Sequence, residues 1–171
     1  MSEPARVEIH AISKHHDLSA FDCGEPALDE YLRQYARQNH ERGIGKTFVA
    51  LAPVGDHGVI GFYTVVVSEI DAEELPSSHK KHMPRYPVPV IRLGRLAVDK
   101  RHQHTRIGEA LLLDALRRGA VLSEEVGIYA VVVDIKNERS RRFYGKYGFI
   151  PLTNNPRTMF LPLKTIRKAF R

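Results

Sequence analysis

The sequence predicts an α/β fold, and three observations carry that expectation. β-rich apolar runs alternate with stretches of helical periodicity, the pattern of elements layered about a sheet. The apolar strand LGRLAVD (93–99) runs straight into a helix through the loop QHTRIG. With 171 residues, 43% of them hydrophobic, the chain can bury one substantial core. The expectation is one domain over residues 1–171, without repeats, linkers or low-complexity stretches.

Taken in order, RVEIHAI (6–12) alternates as a strand does. In FDCGEPALDEYLRQYARQNHERG (21–43), Asp22 or Gly24 is suited to cap a helix that has Pro26 in its first turn. Leu28, Leu32 and Tyr35 fall at core-face spacing, while Arg33 and Arg37 share another face. KTFVALA (46–52) and VIGFYTVVVSEI (59–70) flank the turn signal PVGDHG and predict a hairpin. The polar, proline-rich stretch 71–89 predicts irregular chain with a helical turn, and VIRLGRLAV (90–98) the next strand. Residues 107–124 predict a helix with Leu111, Leu112, Ala115, Leu116, Ala120 and Leu122 inward and Asp114, Arg117 and Arg118 outward. IYAVVVDI (128–135) is a strongly apolar strand. NERSRRFYGKYG (137–148) is a short helix capped by Asn137 and ended by Gly148. FIPL (149–152) and TMFLPL (158–163) supply the last strands.

Composition narrows the function. No apolar run is long enough to span a bilayer, and the first residues lack a signal-peptide-like apolar stretch, so a cytoplasmic protein is expected. Cys23 is the single cysteine, which excludes an internal disulfide and suits a reducing compartment. His79/His82 and His102/His104 lack supporting cysteine or carboxylate spacing, so no metal is expected. The formal charge is +6, with basic residues gathered at 79–85, 136–146 and 164–171. These are either solvated faces or a surface for a polyanion.

The strand-to-helix loop has the position of a phosphate cradle, yet His104, Thr105 and Arg106 stand where glycines would let backbone N–H groups approach. From the residues alone it is either a cradle that has drifted or no cradle. Tyr144, beside Phe143 and Tyr147, reads from spacing alone as a packed aromatic on a short helix.

Four ordered stretches resemble the GNAT acyl-CoA N-acetyltransferases: RLAVDKRHQ, the loop Gln103–Gly108, the long helix after it, and NERSRRFYGKYGF. The family loop runs Gln or Arg, two residues, Gly, one residue, then Gly or Ala; this chain keeps Gln103 and Gly108 and has Arg106 at the middle glycine. FDCGEPALDEYLRQYARQN, KTFVAL, VIGFYTV and YPVPVIRLGRLAVD are similar to the branch of toxins that acetylate aminoacyl-tRNA and pair with ribbon-helix-helix antitoxins. The likeness spans residues 17–163. It implies a mixed central sheet flanked by helices, with splayed central strands holding acetyl-CoA.

The resemblance also implies roles. Backbone N–H groups of His104, Thr105, Arg106, Ile107, Gly108 and Glu109, beside Gln103, would grip the pyrophosphate. Backbone groups of Leu96, Ala97 and Val98 would hold the thioester and pantetheine, and Asn137 the CoA arm. Tyr144 would act as general acid toward the leaving thiolate. Arg92 and Arg95, on opposite faces by alternation, with Arg33, Arg37, Lys80, Lys81, Arg141 and Arg142, are candidates for tRNA phosphates. Glu109 and Asp114 are base candidates by position only, and orientation of a neutral α-amine can replace a base. An antitoxin and a homodimer are the implied protein partners. Two alternatives stand beside this: an acetyltransferase for a protein or small-molecule amine, and a GNAT-fold binding module whose altered loop has lost acetyl-CoA.

Overall fold

The computed structural model describes residues 7–52 and 58–170. Most of the PVGDHG turn (53–57) lies outside the described residues, as does Arg6 of the first predicted strand. The strands are β1 (Glu8–Ala11), β2 (Lys46–Leu51), β3 (Val59–Ile70), β4 (Val88–Val98), β5 (Ala130–Asp134), β6 (Ile150–Pro151) and β7 (Thr158–Pro162). They form one mixed sheet in the order β1-β2-β3-β4-β5-β7-β6. The helices are α1 (Pro26–Glu30), α2 (Ala36–Arg42), α3 (Ser77–Lys80), α4 (Ile107–Leu122), α5 (Glu138–Lys146) and α6 (Leu163–Ala169). The predicted α/β class and mixed sheet are present. Among the described residues no helix is long and apolar enough to cross a membrane.

The chain folds as two compact units, one built from residues up to Val66 with Gly94–Ala115, the other from Val67–Leu93 with Leu116–Arg171. In the first, β2 pairs antiparallel with β1 and β3, and its core gathers Ile12, Phe21, Leu32, Ala36, Val49 and Phe62. In the second, β5 runs parallel to β4 and antiparallel to β7. Its Ala130, Val131, Val132 and Val133 are all buried, as expected of a strand covered on both faces. Ile70, Leu75, Val90, Val132 and Phe160 belong to that unit's core.

Four expectations change. Glu25, not Asp22 or Gly24, stands at the N-cap of α1, and Pro26 begins the helix. Between α1 and α2 the chain makes a π-helical turn, Tyr31–Tyr35, in which the Ala36 N–H donates to the Tyr31 carbonyl. The extra residue turns Tyr35 outward, 48% exposed, and Tyr31 and Ala36 take core places instead. Leu122 is exposed, because α4 ends there. The basic tail contains α6, which buries Leu163 and Ile166 at i, i+3 spacing.

Gly61 sets how closely elements meet in the first unit. A Cβ there would stand 2.9 Å from Leu111 Cδ1 and 3.2 Å from the Ala97 carbonyl oxygen. Gly61→Ala is therefore expected to cost about 1–3 kcal/mol by overpacking, read as a lower urea midpoint; an unchanged midpoint would mean that Leu111 yields freely.

Candidate active site

In the first unit, β4 leads into the loop through Asp99, which is 1% exposed. Its carboxylate accepts from the backbone N–H of Asp22 (3.1 Å), the backbone N–H of Arg101 (2.9 Å) and Arg101 Nε (3.0 Å). Burial alone would push its pKa up. The hydrogen bonds from Arg101 and Asp22 outweigh that and hold the group below the usual carboxylate range. The Lys100 N–H donates to the Asp22 carbonyl at 2.8 Å. Gln103 Nε2 donates to the carbonyls of Val98 (3.0 Å) and Cys23 (3.2 Å). The Thr105 hydroxyl donates to the His102 carbonyl. The start of the loop is thus fastened to residues 22–23.

His104 (φ 69°) and Arg106 (φ 68°) both adopt left-handed backbone. Non-glycine residues visit that region seldom, and at a cost. Arg106 stands at the middle glycine of the family pattern, so there the backbone keeps a glycine-like course although the side chain differs. His104, Thr105 and Arg106 are exposed. The Arg106 guanidinium meets Glu109 Oε1 at 2.6 Å. Ile107 is buried and starts the 16-residue α4, so first-turn N–H groups lie at residues 107–109. The β4–β5 ladder ends at Leu93↔Val133, and β4 continues through residues 94–98. Leu96, Ala97 and Val98 lie in that continuation.

In the second unit, Asn137 caps α5 as its sequence suggests: its side chain accepts from the Ser140 N–H at 2.9 Å. Gly148 closes the segment with φ 95°. Tyr144 is 8% exposed and packs edge-on against Phe143 and Phe149, at 5.1 and 5.5 Å between ring centroids. Burial, and secondly the charge of Asp134, raises its pKa well above that of an ordinary phenol. The hydroxyl therefore keeps its proton at neutral pH. Asp134 Oδ1 in turn accepts from Arg92 Nη1 (2.5 Å) and Thr158 Oγ1 (3.0 Å).

The predicted cations divide between the units. In the first, Arg33 donates to the Phe21 carbonyl at 2.6 Å, Arg37 lies 3.9 Å from Glu41, and Arg95 stacks over the Tyr31 ring at 3.6 Å. In the second, Lys80 meets Glu73 at 2.5 Å, Arg92 is held by Asp134, and Arg141 donates to the Pro156 carbonyl at 3.0 Å. Lys81 and Arg142 are exposed. Asp114 does not belong to the wet face of α4. It is partly buried and accepts from the Tyr63 hydroxyl at 2.5 Å. Burial, with the Asp29 carboxylate second, raises the Cys23 thiol pKa to about 11, which disfavours the thiolate at neutral pH. Among the described residues no cluster of three or more His, Cys, Asp or Glu is placed to hold a metal ion. Sequence reasoning missed Asp99 and Asp134. Each is an acid at the end of an apolar strand, a signal it shares with many solvated turn residues.

The Asp99 network has a direct test. Asp99→Asn keeps the shape but loses acceptor capacity and charge, and should cost about 1–3 kcal/mol. Urea unfolding measures it, and wild-type stability would show that the carboxylate is dispensable.

Comparison with known proteins agrees with this geometry. The family model for the acetyltransferase (GNAT) domain matches residues 43–151. The tRNA-acetylating toxin of Mycobacterium tuberculosis (strain ATCC 25618 / H37Rv) is 35% identical over 156 residues, covering 91% of this chain and 92% of that protein. The structure of AtaT complexed with acetyl-methionyl-tRNAfMet superposes with a TM-score of 0.90 at 32% identity, covering 97% of this chain and 100% of that one. The structure of AtaTR bound with AcCoA gives 0.83 at 32% identity, with 96% and 98% covered. On sequence, fold and the course of the loop, the chain belongs to the GNAT acetyltransferase family.

Proposed function

We propose that this chain moves an acetyl group from acetyl-CoA to the α-amine of an aminoacyl-tRNA and so blocks translation. The observation that carries this reading is likeness over nine-tenths of the chain to a protein named for tRNA acetylation. Tyr144, on the short helix that Asn137 caps and Gly148 closes, is the proton donor in this reading.

Each group then has a task. First-turn N–H groups of α4 and the left-handed loop at 104–106 face the pyrophosphate, with Gln103 holding the loop in place. Backbone groups of Leu96, Ala97 and Val98 orient the thioester, and Asn137 contacts the CoA arm. The neutral amine attacks the thioester carbonyl. A C–N bond forms and the C–S bond breaks. Tyr144 gives its proton to the departing thiolate, the new amide nitrogen sheds one proton to water, and Tyr144 regains a proton from water, which restores the phenol. Ester substitution lowers the basicity of the α-amine, so orientation can supply much of the rate without a dedicated base. Arg92, Arg95, Arg33, Arg37, Lys80, Lys81, Arg141 and Arg142 contribute to phosphate binding, which makes the reaction salt-sensitive. The partners in this reading are a ribbon-helix-helix antitoxin covering basic surface, and a second copy of the chain. The setting is the cytoplasm.

Two measurements test it. Tyr144→Phe should lower acetylation of aminoacyl-tRNA by about 10²- to 10⁴-fold and abolish growth arrest with an unchanged melting temperature; full toxicity in that variant would remove the general-acid role. Titration of acetyl-CoA by calorimetry should show micromolar binding by the unaltered chain. Binding only after Arg106→Gly would mean that the loop side chains block the grip.

A further inference from the structure

The π-helical turn Tyr31–Tyr35 has a consequence on the surface. In an unbroken α-helix, Tyr35 would share the core face of Leu28 and Leu32. The wide turn swings it out to 48% exposure while Tyr31 stays 8% exposed. Folding alone gains nothing from exposing an aromatic ring in this way, and π turns recur at functional sites.

What surrounds Tyr35 points to a ligand. The Tyr31 and Tyr35 rings lie 6.5 Å apart with planes tilted by 30°. The Arg95 guanidinium lies 3.6 Å over the Tyr31 ring. Arg95 directly precedes Leu96 on β4, at the stretch assigned to the thioester. An aromatic and cationic ladder therefore leads from that strand to an exposed ring, all within the first unit. Upstream, the Arg33 bond to the Phe21 carbonyl and the Asp29 carboxylate, which accepts the Cys23 N–H at 2.9 Å, fix the start of the helix. An exposed tyrosine near a half-buried arginine matches what unstacked nucleobases seek: a π face to stack on and a cation for the adjoining phosphate.

We propose that Tyr35, next to the Tyr31 ring on which Arg95 stacks, is a stacking subsite for a nucleobase of the single-stranded acceptor end of the RNA, an inference that rests on the aminoacyl-tRNA reading above. Tyr35 positions the RNA end, and the proton-transfer step is left to Tyr144.

The chain has no tryptophan, so Tyr35→Trp installs a single fluorescent reporter at the subsite. Deacylated tRNA should quench it, and the same tRNA trimmed of its 3′ single-stranded nucleotides should bind the subsite about 5- to 100-fold more weakly. In acetylation assays Tyr35→Ala should raise the KM for aminoacyl-tRNA by a similar factor. It should leave the KM for acetyl-CoA and the melting temperature unchanged, and Tyr35→Phe should behave as wild type. Equal quenching by intact and trimmed tRNA, or an unchanged aminoacyl-tRNA KM in a folded Tyr35→Ala, would overturn the proposal. Should Tyr35→Ala fail to fold, the quenching comparison decides alone. A wild-type protein that acetylates no aminoacyl-tRNA would defeat the functional reading, while the quenching comparison would still judge the subsite.

Discussion

A buried negative charge disciplines the loop that joins β4 to α4. Asp99 is almost wholly removed from water, and a carboxylate in that position must be met by donors. It collects them from both sides: Arg101 within its own turn and the Asp22 backbone from a distant segment. That requirement fixes where β4 stops and where the next turn goes. Gln103 repeats the arrangement with a neutral amide, donating to Val98 and Cys23. The loop emerges from this frame already directed, and α4 starts from it.

The frame also accounts for the left-handed residues. In an isolated peptide, His104 and Arg106 would seldom adopt positive φ. Here Asp99 and Gln103 anchor the chain before them and the buried Ile107 anchors it after them, so the backbone between has few alternatives. Surrounding structure overdetermines such strained residues, and they gather at functional sites. Arg106 in place of the family glycine therefore alters the charge and bulk at the helix entrance more than its course.

Local rules made much of this legible. The β2 and β3 runs, the Asn137 cap and the Gly148 stop of α5 follow from alternation and capping chemistry, which act over a few residues. Only the ordered family pattern marks Tyr144 as a candidate acid, since aromatic spacing alone suits packing equally well. Partnerships across long sequence separation were not legible. Nothing local tells that Asp114 meets Tyr63, that Arg92 meets Asp134, or that Arg95 finds the Tyr31 ring. The charge of the tail concealed α6, whose two buried residues are outnumbered by cations. The exposure of Tyr35 was hidden for a different reason: helical periodicity assumes a constant pitch, and the pitch changes there.

That change of pitch has a consequence for how the helix can vary. One inserted residue rotates everything downstream by about 100° relative to a regular helix. Residues before Tyr31 and residues after Tyr35 thus address the core in different phases while belonging to one continuous rod. Substitutions on the two halves can then drift under separate constraints, the upstream half answering to the loop anchored by Asp99 and the downstream half to the hairpin of β2 and β3. A single-residue deletion inside the turn would restore the regular 3.6-residue phase between the halves. Length at this one point, rather than composition, becomes the coarse control over what the helix displays.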